Sequence, residues 1–477
     1  MVLQLRKPIL VTGVGLSFLL WIGSTLQDSL MGIGELGIPG AIALGSGLWW
    51  WRSRQSKTAV SPIETPIDQT AVDEILKATQ AIFNKITTEA PETDISHLQQ
   101  RLDQLPDQLN RDHFQIAITG GKSVGKTHLK SALTLSSHSL LETPALYQKN
   151  SDSAAIENSV LPCEIAIFVV NGDLTDSEYQ TIKKWSQLQQ KILLVFNKQD
   201  HYSPEQQAVI LKQLKTRLSD LIPETDIIST TAAPAPIKVR KFKADNTHQE
   251  WEETPEPQIE TLGTRLKTLL SEEKQTLLYQ STWRKTYLLK QEAKAILNDI
   301  RRQRAMPYIE QYQWVAAGAA FANPVSSLDL LATAAINAQL VFDLGKLYQP
   351  QFSWQQAQTV AGTLGKQMVQ LGLVEFSTQT MTSVLKANAF TYLAGGTVQG
   401  LSAAYLTRIA GLSLIEYFQE QELSQETGET LNLNRLQTKL QEVFQNNQRT
   451  ALFKSILQKG KEKLFQQTNV SQSYVNS

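Results

Sequence analysis

Between Phe114 and about Leu270, short apolar runs alternate with longer stretches in which apolar residues recur every three or four positions. The runs "FQIAIT", "CEIAIFVV" and "KILLVF" have the length and unbroken apolar character of strands covered on both faces. "KTHLKSALTL", "SEYQTIKKWSQLQQ" and "PEQQAVILKQLKTRLSDLI" carry helical spacing, and "DIIST" reads as a short last strand. Strand and helix in turn predict a mostly parallel sheet with helices on both faces. The polar stretch that follows, "IKVRKFKADNTHQEWEETPEP", is expected as an exposed hairpin or loop.

Upstream, "AVDEILKATQAIFNKI" and "DISHLQQRLDQLPDQL" predict two amphipathic helices, the second interrupted at Pro106. Beyond Ile259 every pattern is helical. Glu260–Arg304 is long, charged and free of proline, and the composition then turns apolar and small at Trp314–Tyr348 and again at Tyr392–Phe418. Two readings of these small-residue segments stay open. Alanine and glycine permit close helix packing in a bundle, and the same apolar character permits hairpin insertion into a membrane. Asp329, Asn337, Gln339, Asp343 and Arg408 argue against a simple crossing, and Pro324 is expected to mark a turn or helix start.

The N-terminus bears on location. Pro8–Leu26 is uncharged over the length a bilayer crossing needs, and Leu36–Trp51 is a shorter apolar run broken by Pro39 and glycines. Arg6 and Lys7 before the first run, with Arg52, Arg54 and Lys57 after the second, predict a membrane hairpin with both flanks cytoplasmic. A cleaved signal peptide is the rival, but no small-x-small cleavage site stands out after Leu26. The expectation is therefore an integral protein of a plasma or thylakoid membrane, its nucleotide domain on the cytoplasmic side. The organisation follows as a hairpin at 1–57, a linker and helical collar at 58–112, an α/β domain at 113–259 and a helical domain at 260–477.

Lysine plus arginine number 45, as do aspartate plus glutamate, so no basic excess points to nucleic acid and none is expected as a partner. The single cysteine, Cys163, excludes an intramolecular disulfide, and the six histidines are scattered without metal-ligand spacing.

The chemistry begins at "GGKSVGKT", Gly120–Thr127, which matches the phosphate-loop pattern G-x-x-x-x-G-K-[ST] between a strand and a helix. Gly120 and Gly125 let the backbone curl so that the N–H groups from Gly121, Lys122, Ser123 and Val124 onward face phosphate oxygens at the positive end of the next helix. Lys126 would reach the β- and γ-phosphates and Thr127 would ligate Mg²⁺. A bare glycine-rich turn with a solvated lysine would need neither the strand before it nor the helix after it.

Directly after "KILLVF" stands "NKQD", Asn197–Asp200, which resembles the N-K-x-D element of GTPases. The resemblance implies that Asp200 accepts hydrogen bonds from the guanine edge, which adenine cannot offer, that Asn197 supports the pocket and that the Lys198 stem covers the base. "STTAA" at 229–233 sits where such proteins read the guanine oxygen, bringing in Ser229, Thr230 and Thr231. Over Phe114–Leu270 the chain is thus similar to the Era-like branch of the translation-factor-type GTPases, which implies GTP or GDP and Mg²⁺ as cofactors. "FANPVSSLDLLATAAINAQLVFDLGKLY", "YLAGGTVQGLSAAYLTRIAGLSLIEYF" and "NGDLTDSEYQTIKKW" resemble the YcjF-like membrane-associated proteins, implying membrane lipid as a partner; self-association or an unknown protein partner is expected where missing hydrolytic groups must be supplied.

The departures from the GTPase pattern matter as much. The family's D-T-P-G is represented by Glu142-Thr143-Pro144-Ala145, which makes Glu142 the candidate second Mg²⁺ group beside Thr127. So little chain separates Thr127 from Glu142 that the usual switch threonine has no place, and position 146 is leucine where a glutamine would orient water. No catalytic residue can be assigned. The expectation is a guanine-nucleotide-binding switch or assembly factor at a membrane, with slow or partner-dependent hydrolysis. The alternative is a nucleotide-stabilised scaffold without turnover.

Overall fold

The computed structural model describes residues 67–133, 135, 137–148, 152–242, 248–322, 326–387, 395–425, 432–447, 455, 456, 458 and 459. The chain divides into two compact units, the first ending at Leu297 and the second beginning at Asn298.

In the first unit five parallel strands form one sheet in the order β2-β1-β3-β4-β5, with β1 Gln115–Gly120, β2 Ser139–Glu142, β3 Ile165–Val170, β4 Lys191–Phe196 and β5 Ile227–Ser229. The apolar runs sit inside because the sheet is covered on both sides: every residue of β3 is buried. The strand period sorts the side chains. Ile116, Ile118, Ile165, Ile167, Val169, Leu193 and Val195 meet Leu129 of α3 (Lys126–Ala132) and Leu262, Leu266 and Leu269 of α7 (Glu260–Ser271). Ala117, Ala166, Phe168, Leu194 and Phe196 meet α4 (Ser153–Val160), α5 (Asp176–Gln187) and α6 (Pro204–Leu218).

Two helices precede the sheet, α1 (Gln69–Glu89) and α2 (Ser96–Asp103), and a 3₁₀ turn at Pro106–Asn110 takes up the interruption expected at Pro106. The polar stretch is a hairpin, β6 Ile237–Phe242 antiparallel to β7 His248–Glu253. Helix α8 (Lys274–Ala322) runs unbroken through Pro307. Its early turns belong to the first unit, where the buried Arg284 guanidinium donates to Leu161 O (Nε, 2.7 Å), Gln189 O (Nη1, 2.7 Å) and Cys163 O (Nη2, 2.6 Å). These carbonyls lie at the C-terminal ends of α4 and α5, so one side chain satisfies groups the helices leave open.

The second unit is helical: the later part of α8, then α9 (Ser326–Tyr348), α10 (Trp354–Gln370), α11 (Leu373–Ala387), α12 (Gly395–Gln425) and α13 (Leu433–Asn447). Its core gathers Ile309, Leu340, Leu344, Val360, Leu364, Tyr405, Ile409, Leu414 and Phe418. A Cβ on Gly400 would stand 2.8 Å from Ala317 O, and one on Gly411 2.6 Å from Ile309 Cγ1, so α12 approaches α8 through its glycines. The small residues there serve helix packing.

That corrects the expected integral membrane protein. Among the described residues no helix is long and apolar enough to cross a membrane. The apolar segments of the second unit are broken by inward polar groups such as Gln313, Thr407 and Arg408, and they close on one another. The proposed hairpin runs, residues 8–26 and 36–51, lie outside the described residues, as does the turn expected at Pro324. The assignment to a plasma or thylakoid membrane, and the sidedness that went with it, has no support.

Candidate nucleotide-binding site

The phosphate-loop residues follow β1 at its C-terminal end, between β2 on one side and β3 on the other. Open α/β sheets bind ligands at such a reversal of strand order. The loop's backbone requires its glycines. Gly120 has φ +142° and its Cβ would fall 2.2 Å from Val169 O, while Gly125 has φ +96° and its Cβ would fall 2.3 Å from Asn197 Nδ2. Ser123 is left-handed too, at φ 58°.

Lys126 opens α3 and is buried, its ammonium donating to Gly120 O (3.0 Å) and Gly121 O (2.8 Å). Burial holds its pKa below the ordinary lysine range, with Glu142 opposing. Thr127 Oγ1 donates to Glu142 Oε1 at 2.5 Å, which joins the start of α3 to the end of β2. From Glu142 the chain lies along β1: Thr143 N donates to Ile118 O (3.0 Å), Thr143 Oγ1 to Thr119 Oγ1 (2.9 Å) and Leu146 N to Gly120 O (3.1 Å). Residues 133–138 alone connect α3 to β2.

The residues expected on the base side meet the loop through Asn197. Its Nδ2 donates to Val124 O (2.9 Å), and its Oδ1 accepts from Thr230 Oγ1 (3.1 Å) and Ala232 N (3.0 Å). Lys198 is left-handed (φ 61°), and its Cε lies 3.8 Å from where a Gly125 Cβ would be. Asp200 accepts from Ala235 N (3.3 Å) and keeps further acceptor sites on its carboxylate. Ser229 ends β5 beside Phe196, Thr230 is buried, and Thr231 exchanges backbone hydrogen bonds with Gln258 (3.1 and 2.9 Å). The Thr231 hydroxyl is buried without a hydrogen-bond partner among the described residues. All the residues expected to hold phosphate and base therefore converge at one end of the sheet.

Two participants escaped the sequence reading. Gln258 pairs with Thr231 through its backbone and accepts from Gln199 Nε2 (3.2 Å), a meeting composition cannot reveal. Glu178 had a readable sign, the Thr-x-x-Glu capping box at the start of α5: Glu178 Oε2 accepts from Thr175 N and Thr175 Oγ1 (both 2.9 Å). Its other oxygen stands 3.6 Å from a Cβ built on Gly121, so a second carboxylate flanks the loop.

Magnesium prefers hard oxygen ligands and retains several waters. Thr127 and Glu142 supply such oxygens side by side, and among the described residues no group of three or more His, Cys, Asp and Glu could hold a metal without phosphate. The donor set fits a metal bound together with a nucleotide.

Residues 284–449 match a family model described as a domain of unknown function, DUF697. No curated protein matches the chain. Solved structures similar to it include an oligomerised bacterial dynamin pair, whose description refers to long-range sensing and tethering of membranes (10% identity, 86% of this chain, 81% of that one, TM-score 0.25). Another is the LeoA bacterial dynamin GTPase from ETEC (10% identity, 85% of this chain, 97% of that one, TM-score 0.24). Superposition this loose assigns neither a shared fold nor a function.

Proposed function

We propose that the protein binds GDP and GTP with Mg²⁺ at this site and acts as a guanine-nucleotide switch or assembly factor associated with membrane lipid, by self-association or through a protein partner. The observation that carries the nucleotide reading is the Asn197 side chain. It ties the phosphate loop at Val124 to the loop after β5 at Thr230 and Ala232, so that phosphate and base elements far apart in sequence are held as one unit. Gly120–Thr127 would cradle the phosphates, Thr127 and Glu142 would hold the metal, and Asn197, Lys198, Asp200 and the Ser229–Thr231 segment would form the base pocket. When bound, Mg²⁺ would neutralise phosphate charge.

Hydrolysis is proposed to be slow in the isolated chain. Leu146 is buried, and its N–H is engaged by Gly120 O, so this position does not orient water. The Era-like and YcjF-like resemblances are the finer form of this reading.

A titration of the full chain with fluorescent GDP, GTP and ATP analogues in Mg²⁺ tests it. Guanine-selective binding lost in Asp200→Asn and Lys126→Ala is the expected result. Equal affinity for ATP and GTP, or no binding, overturns the reading.

A further inference from the structure

We infer that Lys122, in the middle of the phosphate loop, is the residue that distinguishes a nucleoside triphosphate from a diphosphate by contacting the terminal phosphate; this rests on the nucleotide-binding reading above. The loop has a direction. Its Val124–Gly125 end lies against the base side, with Val124 O bonded to Asn197 and Lys198 Cε next to Gly125. Its other end lies away from the base, where Gly120 accepts from Leu146 N and Gly121 stands next to Glu178. A nucleotide whose base sits at Asn197–Asp200 runs its phosphate chain along the loop toward residues 120–122. The α-phosphate meets the Gly125 end and the third phosphate, where present, the Lys122 end.

The charges at that far end explain why a second lysine belongs there. One carboxylate flanks it, Glu178 beside Gly121, and would repel a terminal phosphate, whereas Glu142 on Thr127 is given to the metal. Lys126, bonded to Gly120 O and Gly121 O, is the cation expected at the β- and γ-phosphates, and Lys122 adds a second one. Lys122 is exposed and makes no hydrogen bond or ion pair among the described residues, so its ammonium is available to a ligand. A lysine in the loop adds a cation at the terminal phosphate from within the chain.

The test compares GDP with GTPγS binding to the full chain and to Lys122→Ala and Lys122→Arg, in Mg²⁺. Lys122→Ala is expected to lower the GTPγS-to-GDP affinity ratio by about 10- to 100-fold, the worth of one charge-assisted contact. Lys122→Arg should retain most of the GTPγS preference. An unchanged GTPγS-to-GDP ratio in Lys122→Ala overturns the inference while leaving nucleotide binding standing. Failure of the unsubstituted chain to bind any guanine nucleotide overturns both.

Discussion

At Gly125 the loop turns with φ +96° directly beneath Asn197, and a methyl group there would meet Nδ2 at 2.3 Å. Gly125→Ala is expected to displace the asparagine that joins the loop to the segment after β5. It should cost about 1–3 kcal/mol in urea unfolding and abolish GDP binding in a fluorescence titration. Retained binding would show that the pocket does not depend on this contact. Cys163 gives a second residue-scale expectation. Burial pushes its thiol up to about 11, with the neighbouring Glu164 adding to the shift. The native state thus holds the proton that the unfolded thiol releases near its ordinary value of 9.0, so this group's contribution to stability is full below pH 9 and falls as pH rises toward 11. Urea midpoints at pH 8 and pH 10 should diverge more for the natural chain than for Cys163→Ala. The same burial should leave the thiol unreactive to alkylation at pH 8 until the protein unfolds.

Among the elements, α8 depends in its early turns on Arg284. Replacing it with methionine leaves the carbonyls of Leu161, Cys163 and Gln189 without their guanidinium, at an expected cost of about 3 kcal/mol in urea unfolding. A loss below about 0.5 kcal/mol would mean those carbonyls find other donors. The pattern of apolar positions revealed β1, β3, β4 and the helices α5 and α6, because their runs are long and buried. It did not reveal β2 or α4. Leu141 in β2 is exposed and the strand is short, so its place is set by pairing with β1 rather than by its own side chains. The single long helix expected over Glu260–Arg304 is interrupted between Ser271 and Lys274. There Glu273 turns to pair with Arg265 (2.7 Å) and Lys191 (3.5 Å), and both cations also reach the buried Asp226. Only the fold brings those charges together.

For the whole molecule, two compact units predict two unfolding transitions in calorimetry. GDP at about 100 times its dissociation constant should stabilise the transition of the sheet unit by about 2.7 kcal/mol. Gly400→Val, which crowds Ala317 O across the α8–α12 contact, should lower the other transition without changing GDP affinity. A switch and a scaffold part company on lipid. Sedimentation with anionic vesicles should differ between GDP and GTPγS if nucleotide state governs membrane association, and should be the same in both if the protein is a nucleotide-stabilised scaffold.

By itself the sequence determined the alternation that makes a parallel sheet, the loop that requires glycine at 120 and 125, and the four residues at 197–200 that follow β4. These are local properties: strand period, backbone freedom and side-chain chemistry operate over a few neighbouring positions. Tertiary structure decided that Asn197 joins the phosphate loop to the β5 loop and that Glu142 lies on Thr127. It placed Glu178 beside Gly121, and it turned the small apolar helices onto one another with Gly400 and Gly411 at the contacts. Each of these is a meeting of groups remote in the chain. Apolar composition reads alike whether a helix faces lipid or a neighbouring helix, and only the packing tells them apart.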